Sequence, residues 1–397
     1  MRDVAQHARV AVKTVSRVVN GEPGVRPQMA ERVQQSITEL GYRRNDGARV
    51  LRRGQTASIG LILENIGDPF YATLSRAVED VAARHHALLI TGSSDEDPDR
   101  ERTLALAFCA RRVDGLIIIP ASRDHTYLEP EIAHGCAVVF VDRPPRLIEA
   151  DTVLTGNRDG AASGVAHLIG NGHRRIGFIG DDSRIYTAAQ RHQGYRDAMA
   201  AAGLAVADSW ITMASPSPSG VGAALDRMLT GAAAGGPGQL GAAAGGPGQL
   251  GAAAGGPGQF GAAAGGPGQF GAAAGGPGQL GTAPVTAVFC GNNRVTALAL
   301  RELRSARASV ALVGFDDLEL ADLLEPGVTV VAQNTGELGR IAAEMLFRRL
   351  NGYHGPPETI ELPTTLIPRG SGELPPSGLT HLTTLISRGS PELPPPI

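Results

Sequence analysis

Between Arg2 and Gly41 the apolar positions recur at helical spacing. Val4, Ala5 and Ala8 mark the inner face of one short helix. Val12, Val15 and Val19 fall at i, i+3 and i+7 of a second, leaving Lys13, Ser16, Arg17 and Asn20 on its other side. Pro27 suits a first helical position, and Met29, Val33, Ile37 and Leu40 form the stripe of a third helix ending at Gly41. Three short helices, the second polar outside and close behind the first, predict a helix-turn-helix. From Ser58 the period changes. "SIGLIL" (58–63), "ALLIT" (87–91), "VDGLIIIP" (113–120) and "AVVFVD" (137–142) are continuous apolar runs separated by helical stretches. "RRIGFIG" (174–180), "TAVFCG" (286–291) and "SVALVGFDD" (309–317) repeat the unit. Strands buried on both faces of a parallel sheet, joined by crossover helices, read this way. The pattern predicts an α/β chain: a three-helix head followed by a body of parallel sheets.

Two stretches follow neither period. Residues 231–280 are five copies of "GAAAGGPGQL" or "GAAAGGPGQF" and hold 20 of the chain's 53 glycines. Gly-Gly-Pro-Gly every ten residues defeats helix and strand alike, so this segment is expected to be a surface loop between a helix near 219–230 and a strand at 285–290. At the C-terminus "TTLIPRGSGELPP" (364–376) returns as "TTLISRGSPELPP" (383–395), and the chain from 372 to 397 is expected to hang free.

Charge sharpens the division into head and body. The net charge of −3 averages a basic head, with 11 Lys/Arg against 5 Asp/Glu in residues 1–56, and an acidic body, with 25 against 34 in the rest. A basic head on an acidic body suits a polyanionic partner. No run of eighteen apolar residues and no secretory signal is present, so the chain is expected in the cytoplasm, without membrane association. No GxGxxG follows the first strand. A Walker A loop is excluded because Lys13 is the sole lysine. His85, His86 and His134 lack metal-ligand spacing, and Cys109, Cys136 and Cys290 form no CxxC pair and read as reduced buried thiols. With no nucleophile–base pairing, neither catalysis, a cofactor nor a metal is expected.

Residues 2–56 resemble the DNA-binding head and hinge of the lactose-repressor (LacI/GalR) family. "DVA", "TVSRVVN", "ELGYRRN" and "ARVL" carry the likeness in the right order and spacing. The resemblance implies that residues 12–20 form the recognition helix. Val12 and Lys13 would read base edges, with Thr14, Ser16, Arg17 and Asn20 near bases or phosphates. It also implies that 45–53 fold on operator DNA, with Leu51 as a minor-groove wedge and Arg49, Arg52 and Arg53 beside phosphates. Arg9 replaces the family's turn glycine, and Ala11 its helix-capping serine.

The body resembles the same family's effector domain, which is similar to periplasmic sugar-binding proteins. "GDPFY" (67–71), "SSDEDPDRE" (93–101), "RRVDGLIIIP" (111–120), "VDRP" (141–144), "HLIGNGHRRIGFIG" (167–180), "RHQGY" (191–195), "CGNN" (290–293) and "VGFDD" (313–317) carry it. The implied fold has two α/β lobes joined by three crossovers, with a ligand between them. Phe70 and Tyr71 would pack against the effector, and Arg191, Asn292, Asp316 and Asp142 would hold its polar groups. An arginine and carboxylates sharing hydroxyls, with an aromatic on an apolar ring face, suit a sugar. The expected domains are the head (1–44), a hinge (45–56) and an effector domain (57–371). Lobe one would take 57–156 and 332–353, and lobe two 157–331 and 354–371. The expected function is an effector-responsive repressor that binds a pseudo-palindromic operator as a homodimer. A sugar-binding transport protein without a DNA-binding role is the alternative, which the basic head disfavours.

Overall fold

The structure is a computed structural model that describes residues 1–19, 22–42, 56–231 and 283–376. The expected hinge up to Gln55, the decamer copies after Gly231 and the second tail copy lie outside the described residues, as do Asn20, Arg49, Leu51 and Arg52.

Helices α1 (Arg2–His7), α2 (Val12–Val19) and α3 (Pro27–Glu39) close on Val4, Ala5, Ala8, Val15 and Val33. The turn between α1 and α2 runs through Arg9 at φ 48, in the left-handed region that glycine occupies more cheaply. Arg32 on α3 donates to the carbonyl oxygens of Ala8 and Arg9 and so secures this turn. Two apolar positions depart from the inward stripes. Val12 is 46% exposed at the start of α2, and Leu40 is 45% exposed beyond the end of α3. Buried Ser36 stands inward instead, its hydroxyl bonded to the Arg32 carbonyl and to His7 Nδ1.

The chain divides into two compact units, Met1–Val153 with Gly339–Thr359, and Leu154–Leu338 with Ile360–Ile397. It passes from one to the other at 153/154, 338/339 and 359/360, against the expected 156/157, 331/332 and 353/354.

One sheet has the order β11-β5-β4-β3-β1-β2, built from β1 (Ser58–Leu63), β2 (Leu88–Ser93), β3 (Gly115–Ile118), β4 (Ala137–Val141), β5 (Asp151–Thr155) and β11 (Thr359–Leu362). From β5 to β2 its strands are parallel, with Ile59 opposite both Leu89 and Gly115. Helices α4 (Pro69–Arg84), α5 (Pro98–Ala110) and α6 (Glu129–Ala133) make the crossovers. Asp68 caps α4 by accepting from Phe70 N, and Asp97 caps α5 by accepting from Asp99 N and Arg100 N. Each cap precedes a proline at the first helical position, where the missing N–H costs nothing.

The other sheet has the order β12-β10-β9-β8-β6-β7. Its strands are β6 (Ile176–Gly180), β7 (Ile211–Met213), β8 (Ala287–Cys290), β9 (Ala311–Phe315), β10 (Thr329–Gln333) and β12 (Thr364–Ile367). All pairs are parallel except β10 with β12. Helices α7 (Asn157–Gly170), α8 (Tyr186–Ala201), α9 (Pro218–Thr230) and α10 (Asn293–Ala306) accompany it. Helix α9 ends at Gly231 in a left-handed cap, and the chain is described again from Ala283, whose carbonyl accepts the indole N–H of buried Trp210 at 3.2 Å.

Helix α11 (Thr335–Leu350) returns the chain to the first unit. Its Gly339 lies so close to α4 that a Cβ would come within 2.6 Å of the Leu74 carbonyl oxygen, and Leu346 fills the space beside Gly115. Asp151, buried at the start of β5, takes both arms of Arg349 at 2.7 and 2.8 Å and the amide of Glu358 at 2.9 Å. Residues 372–376, expected in the free tail, are fastened to the second unit. Glu373 accepts from Thr329 Oγ1 at 2.8 Å and Gly370 N at 2.7 Å, and His167 lies 2.5 Å from it. His173 bonds the Leu374 carbonyl, and Leu374 rests on the core of Phe178, Phe289 and Phe315.

Candidate functional site

In the second unit the polar residues gather at the C-terminal ends of the strands, where open α/β sheets bind ligands. Asp316 follows β9 directly at φ 69, Gly291 and Asn292 follow β8, and Gln333 ends β10. Arg191, on α8, is 5% exposed and joins these ends. Its Nε donates to Asn157 Oδ1 at 2.7 Å, and its Nη1 donates to the Gly291 carbonyl at 2.8 Å and to Asp316 Oδ2 at 3.2 Å. The guanidinium carbon stands 3.8 Å from the Phe315 ring centroid. Gln333 Nε2 donates to Asp316 Oδ1 at 2.5 Å, while buried Gln333 Oε1 has no hydrogen-bond partner among the described residues. The cluster thus holds one side-chain acceptor that no protein donor fills among the described residues. Asn292 is positioned differently from the expectation: its Oδ1 caps α10 through Val295 N, and its Nδ2 donates to Asp181 Oδ2 at 3.1 Å. Both ends of that amide are engaged within the protein.

The first unit carries a second cluster, again at strand ends. Glu64 follows β1, and Asp142, 3% exposed at φ 69, follows β4. Tyr71 donates its hydroxyl to Glu64 Oε2 at 2.7 Å, and the half-buried Phe70 ring meets Tyr71 edge-on at 5.1 Å. Arg143 is the hub: it reaches Glu96 Oε1 at 2.6 Å, Glu64 Oε2 at 3.5 Å, Asp142 Oδ2 at 3.5 Å and the Pro120 carbonyl at 2.9 Å. Burial pushes the Tyr71 hydroxyl well above its usual range. Burial also pushes the Glu96 carboxyl up to about 7, with the charge of Glu64 adding to it and Arg143 opposing. For Arg143 burial works downward, yet Tyr71, Glu96, Asp142 and Glu64 together hold the guanidinium above its ordinary value.

The sequence points to Arg191, Asp316, Asn292, Asp142, Phe70 and Tyr71, but not to Asn157, Gln333, Glu64, Glu96 or Arg143. For part of the set the signal is present: a charged residue ends two of the apolar runs, Glu64 after "SIGLIL" and Asp142 and Arg143 after "AVVFV". In the head, Val12, Lys13 and Arg17 lie exposed on α2, with Thr14 and Ser16 half-buried between them. Arg17 Nε lies 3.6 Å from Glu22 Oε2. Among the described residues no three metal-ligating side chains cluster, and no helix is long and apolar enough to cross a membrane.

Comparison with known proteins matches three segments to family models. Residues 1–45 match the bacterial regulatory proteins of the lacI family. Residues 56–234 match the periplasmic binding proteins and sugar binding domain of the LacI family, and residues 263–372 a periplasmic binding protein-like domain. The chain is 27% identical to the HTH-type transcriptional regulator GalS of Salmonella typhimurium, over 89% of this chain and 90% of that protein. It is 25% identical to catabolite control protein A of Priestia megaterium, over 91% and 95% of the two chains. Among solved structures, the transcriptional regulator CelR–cellobiose complex matches with a TM-score of 0.60 and 25% identity, over 93% of this chain and 98% of that one. The lac repressor dimer bound to operator and the anti-inducer ONPF shares the fold at a TM-score of 0.71 and 20% identity, over the same shares of each chain. The chain belongs to the LacI family of bacterial regulatory proteins.

Proposed function

We propose that the protein is an effector-controlled transcriptional repressor, acting in the cytoplasm without catalytic activity of its own. One observation carries the reading. A helix-turn-helix that exposes Lys13 shares a chain with a buried Arg191–Asp316 pair at the strand ends, beside the spare acceptor of Gln333. The first part suits DNA, the second a polyhydroxylated ligand. A transport protein that only carries sugar has no use for the head.

Helix α2 would enter the major groove, Val12 and Lys13 reading base edges while Thr14, Ser16, Arg17 and Asn20 hold bases or phosphates. Leu51 would wedge into the minor groove, with Arg49 and Arg52 beside phosphates. For a sugar or sugar derivative, the second unit offers Arg191, Asp316 and Gln333 to hydroxyls; the first unit offers Phe70 and Tyr71 to an apolar ring face and Asp142 as an acceptor. CelR, a similar structure, is bound to cellobiose. Asn292 supports such a site by capping α10 and orienting Asp181. A homodimer fits β2, an edge strand exposing Leu88 (74%) and Ile90 (36%), which is costly for a lone copy. Two-fold symmetry then implies a pseudo-palindromic operator. Effector acts by its unequal affinity for two arrangements of the chain.

Footprinting of the chromosomal sites bound by the full chain, followed by gel shifts on those sites with a panel of sugars, tests the proposal. Inverted-repeat sites whose occupancy changes with one sugar are expected. Absence of any sequence-selective binding would overturn it.

A further inference from the structure

The described chain enters the first unit at Thr56, five residues after Leu51. Thr56 is fastened there at once. Its amide donates to Asp114 Oδ1 at 2.7 Å, and its hydroxyl donates to the Arg112 carbonyl at 2.7 Å. The next two residues are held from both sides: Leu88 N donates to the Ala57 carbonyl and Asp114 N to the Ser58 carbonyl, each at 2.8 Å. Two helix-to-strand turns therefore flank the point of entry, one between α4 and β2, the other between α5 and β3. Their cations are placed differently. In the first, Arg84 lies 3.7 Å from Glu344, and His85 stacks on Phe347 at 4.0 Å between ring centroids. In the second, Arg111 and Arg112 are adjacent and exposed, and no carboxylate among the described residues pairs with either. Arg111 closes α5, where a cation suits the negative end of the helix, and Arg112 lies beyond it. Asp114, the acid of that turn, is occupied by Thr56. On a body with 25 Lys/Arg against 34 Asp/Glu, two neighbouring arginines without a carboxylate run against the prevailing charge.

We propose that Arg111 and Arg112 are a DNA contact made by the body, neutralising backbone phosphates that border the base step wedged by Leu51. The inference rests on the DNA-binding reading above and adds a surface outside the head and hinge. Five residues of chain span at most about 18 Å, so a wedge at Leu51 keeps Thr56, and the turn bonded to it, beside the same duplex. The bonds from Thr56 to Asp114 and Arg112 remove the slack at that end of the tether. A guanidinium meets a phosphate through charge-assisted, often bidentate hydrogen bonds. Such contacts carry no base information, so they strengthen binding to every sequence alike.

Binding by the full chain is titrated between roughly 50 and 200 mM salt, on footprinted sites and on unrelated duplex. Each phosphate contact contributes about 0.9 to the slope of log K against log salt. R111Q/R112Q should therefore flatten that slope by about 1.8 per protomer and weaken all sites by the same factor, leaving their ranking unchanged. R111K/R112K keeps both charges and should return most of the slope. Ethylation of the phosphates bordering the wedged step should impair the wild-type chain more than R111Q/R112Q. An unchanged slope in R111Q/R112Q, or a slope lost equally in R111K/R112K, overturns the proposal and leaves the repressor reading standing. A wild-type chain without sequence-selective binding overturns both.

Discussion

Replacing Arg191 by methionine keeps most of the side-chain volume and removes a cation that is 5% exposed. Three polar groups lose a donor: Asn157 Oδ1, the Gly291 carbonyl and Asp316 Oδ2. The Asp316 carboxylate, itself 8% exposed, keeps only Gln333 Nε2 from this network. Leaving one member of a buried ion pair uncompensated costs about 3–5 kcal/mol. That is a large share of the ~5–15 kcal/mol that holds a domain folded. With a urea slope of about 2 kcal/mol per molar, the second unit's midpoint should fall by roughly 2 M. Trp210, the chain's one tryptophan, is buried in that unit, so its fluorescence follows the transition. Asp316→Asn removes the stranded charge, and the double variant should recover about 1–3 kcal/mol relative to additive single losses. An unchanged midpoint in R191M, or losses additive within about 0.5 kcal/mol, would refute the coupling. The same numbers govern any effector assay: loss of response in R191M reports recognition only at urea-free temperatures where the variant is folded.

Three further outcomes are expected. The folded-state pKa of Glu96 lies above the 4.5 of an ordinary glutamate, so the native state binds the extra proton and is stabilised at low pH. That contribution should fade as pH rises from about 4.5 through about 7, and the pH–Tm profile of Glu96→Gln should be flatter across that window. Arg9→Gly relieves a left-handed non-glycine residue, and Ala11→Ser restores a helix cap; each should stabilise the head by ~1 kcal/mol, read as slower amide hydrogen exchange in residues 1–42 of the full chain. Faster exchange in either variant contradicts the strain or the cap. Lys13→Ala should weaken operator binding by ~1–3 kcal/mol and relax base preference at one position, measured by gel shift on footprinted sites; equal affinity on every site removes Lys13 as a reader.

Sequence patterning served best where burial is two-sided. Strands β1, β3, β4, β6, β8 and β9 are unbroken apolar runs, and each was legible from its letters. Strand β5, "DTVLT", was not, because its buried Asp151 reads as a surface residue until Arg349, nearly two hundred positions later, neutralises it. The same reason hid part of the candidate site. Arg191 and Asp316 could be named from family likeness, but Asn157 and Gln333 acquire meaning only when the strand order places their chain ends beside one guanidinium. Val12 departs in the other direction: its spacing fits the apolar stripe, yet at the first position of α2 it stays 46% exposed. The tail differs from its expectation because a duplicated, proline-rich run looks unstructured, while Glu373 and Leu374 in its first copy hold specific partners.

The passage of α11 back into the first unit bears on how the chain is made. A ribosome that has released residues up to Val153 has supplied four of the six strands of the first sheet and the start of β5, but not β11 or the helix that covers Gly115 and Leu74. Those arrive only after 185 more residues, Leu154–Leu338, have been added. At about 5–20 residues per second that is a wait of roughly 10–40 s. Through it the apolar floor destined for Leu346 stands open to chaperones or to neighbouring nascent chains. The decamers lie within the intervening stretch, so each copy lengthens the wait by ten residues. Yield at birth, more than stability once folded, is where such an expansion would first be felt.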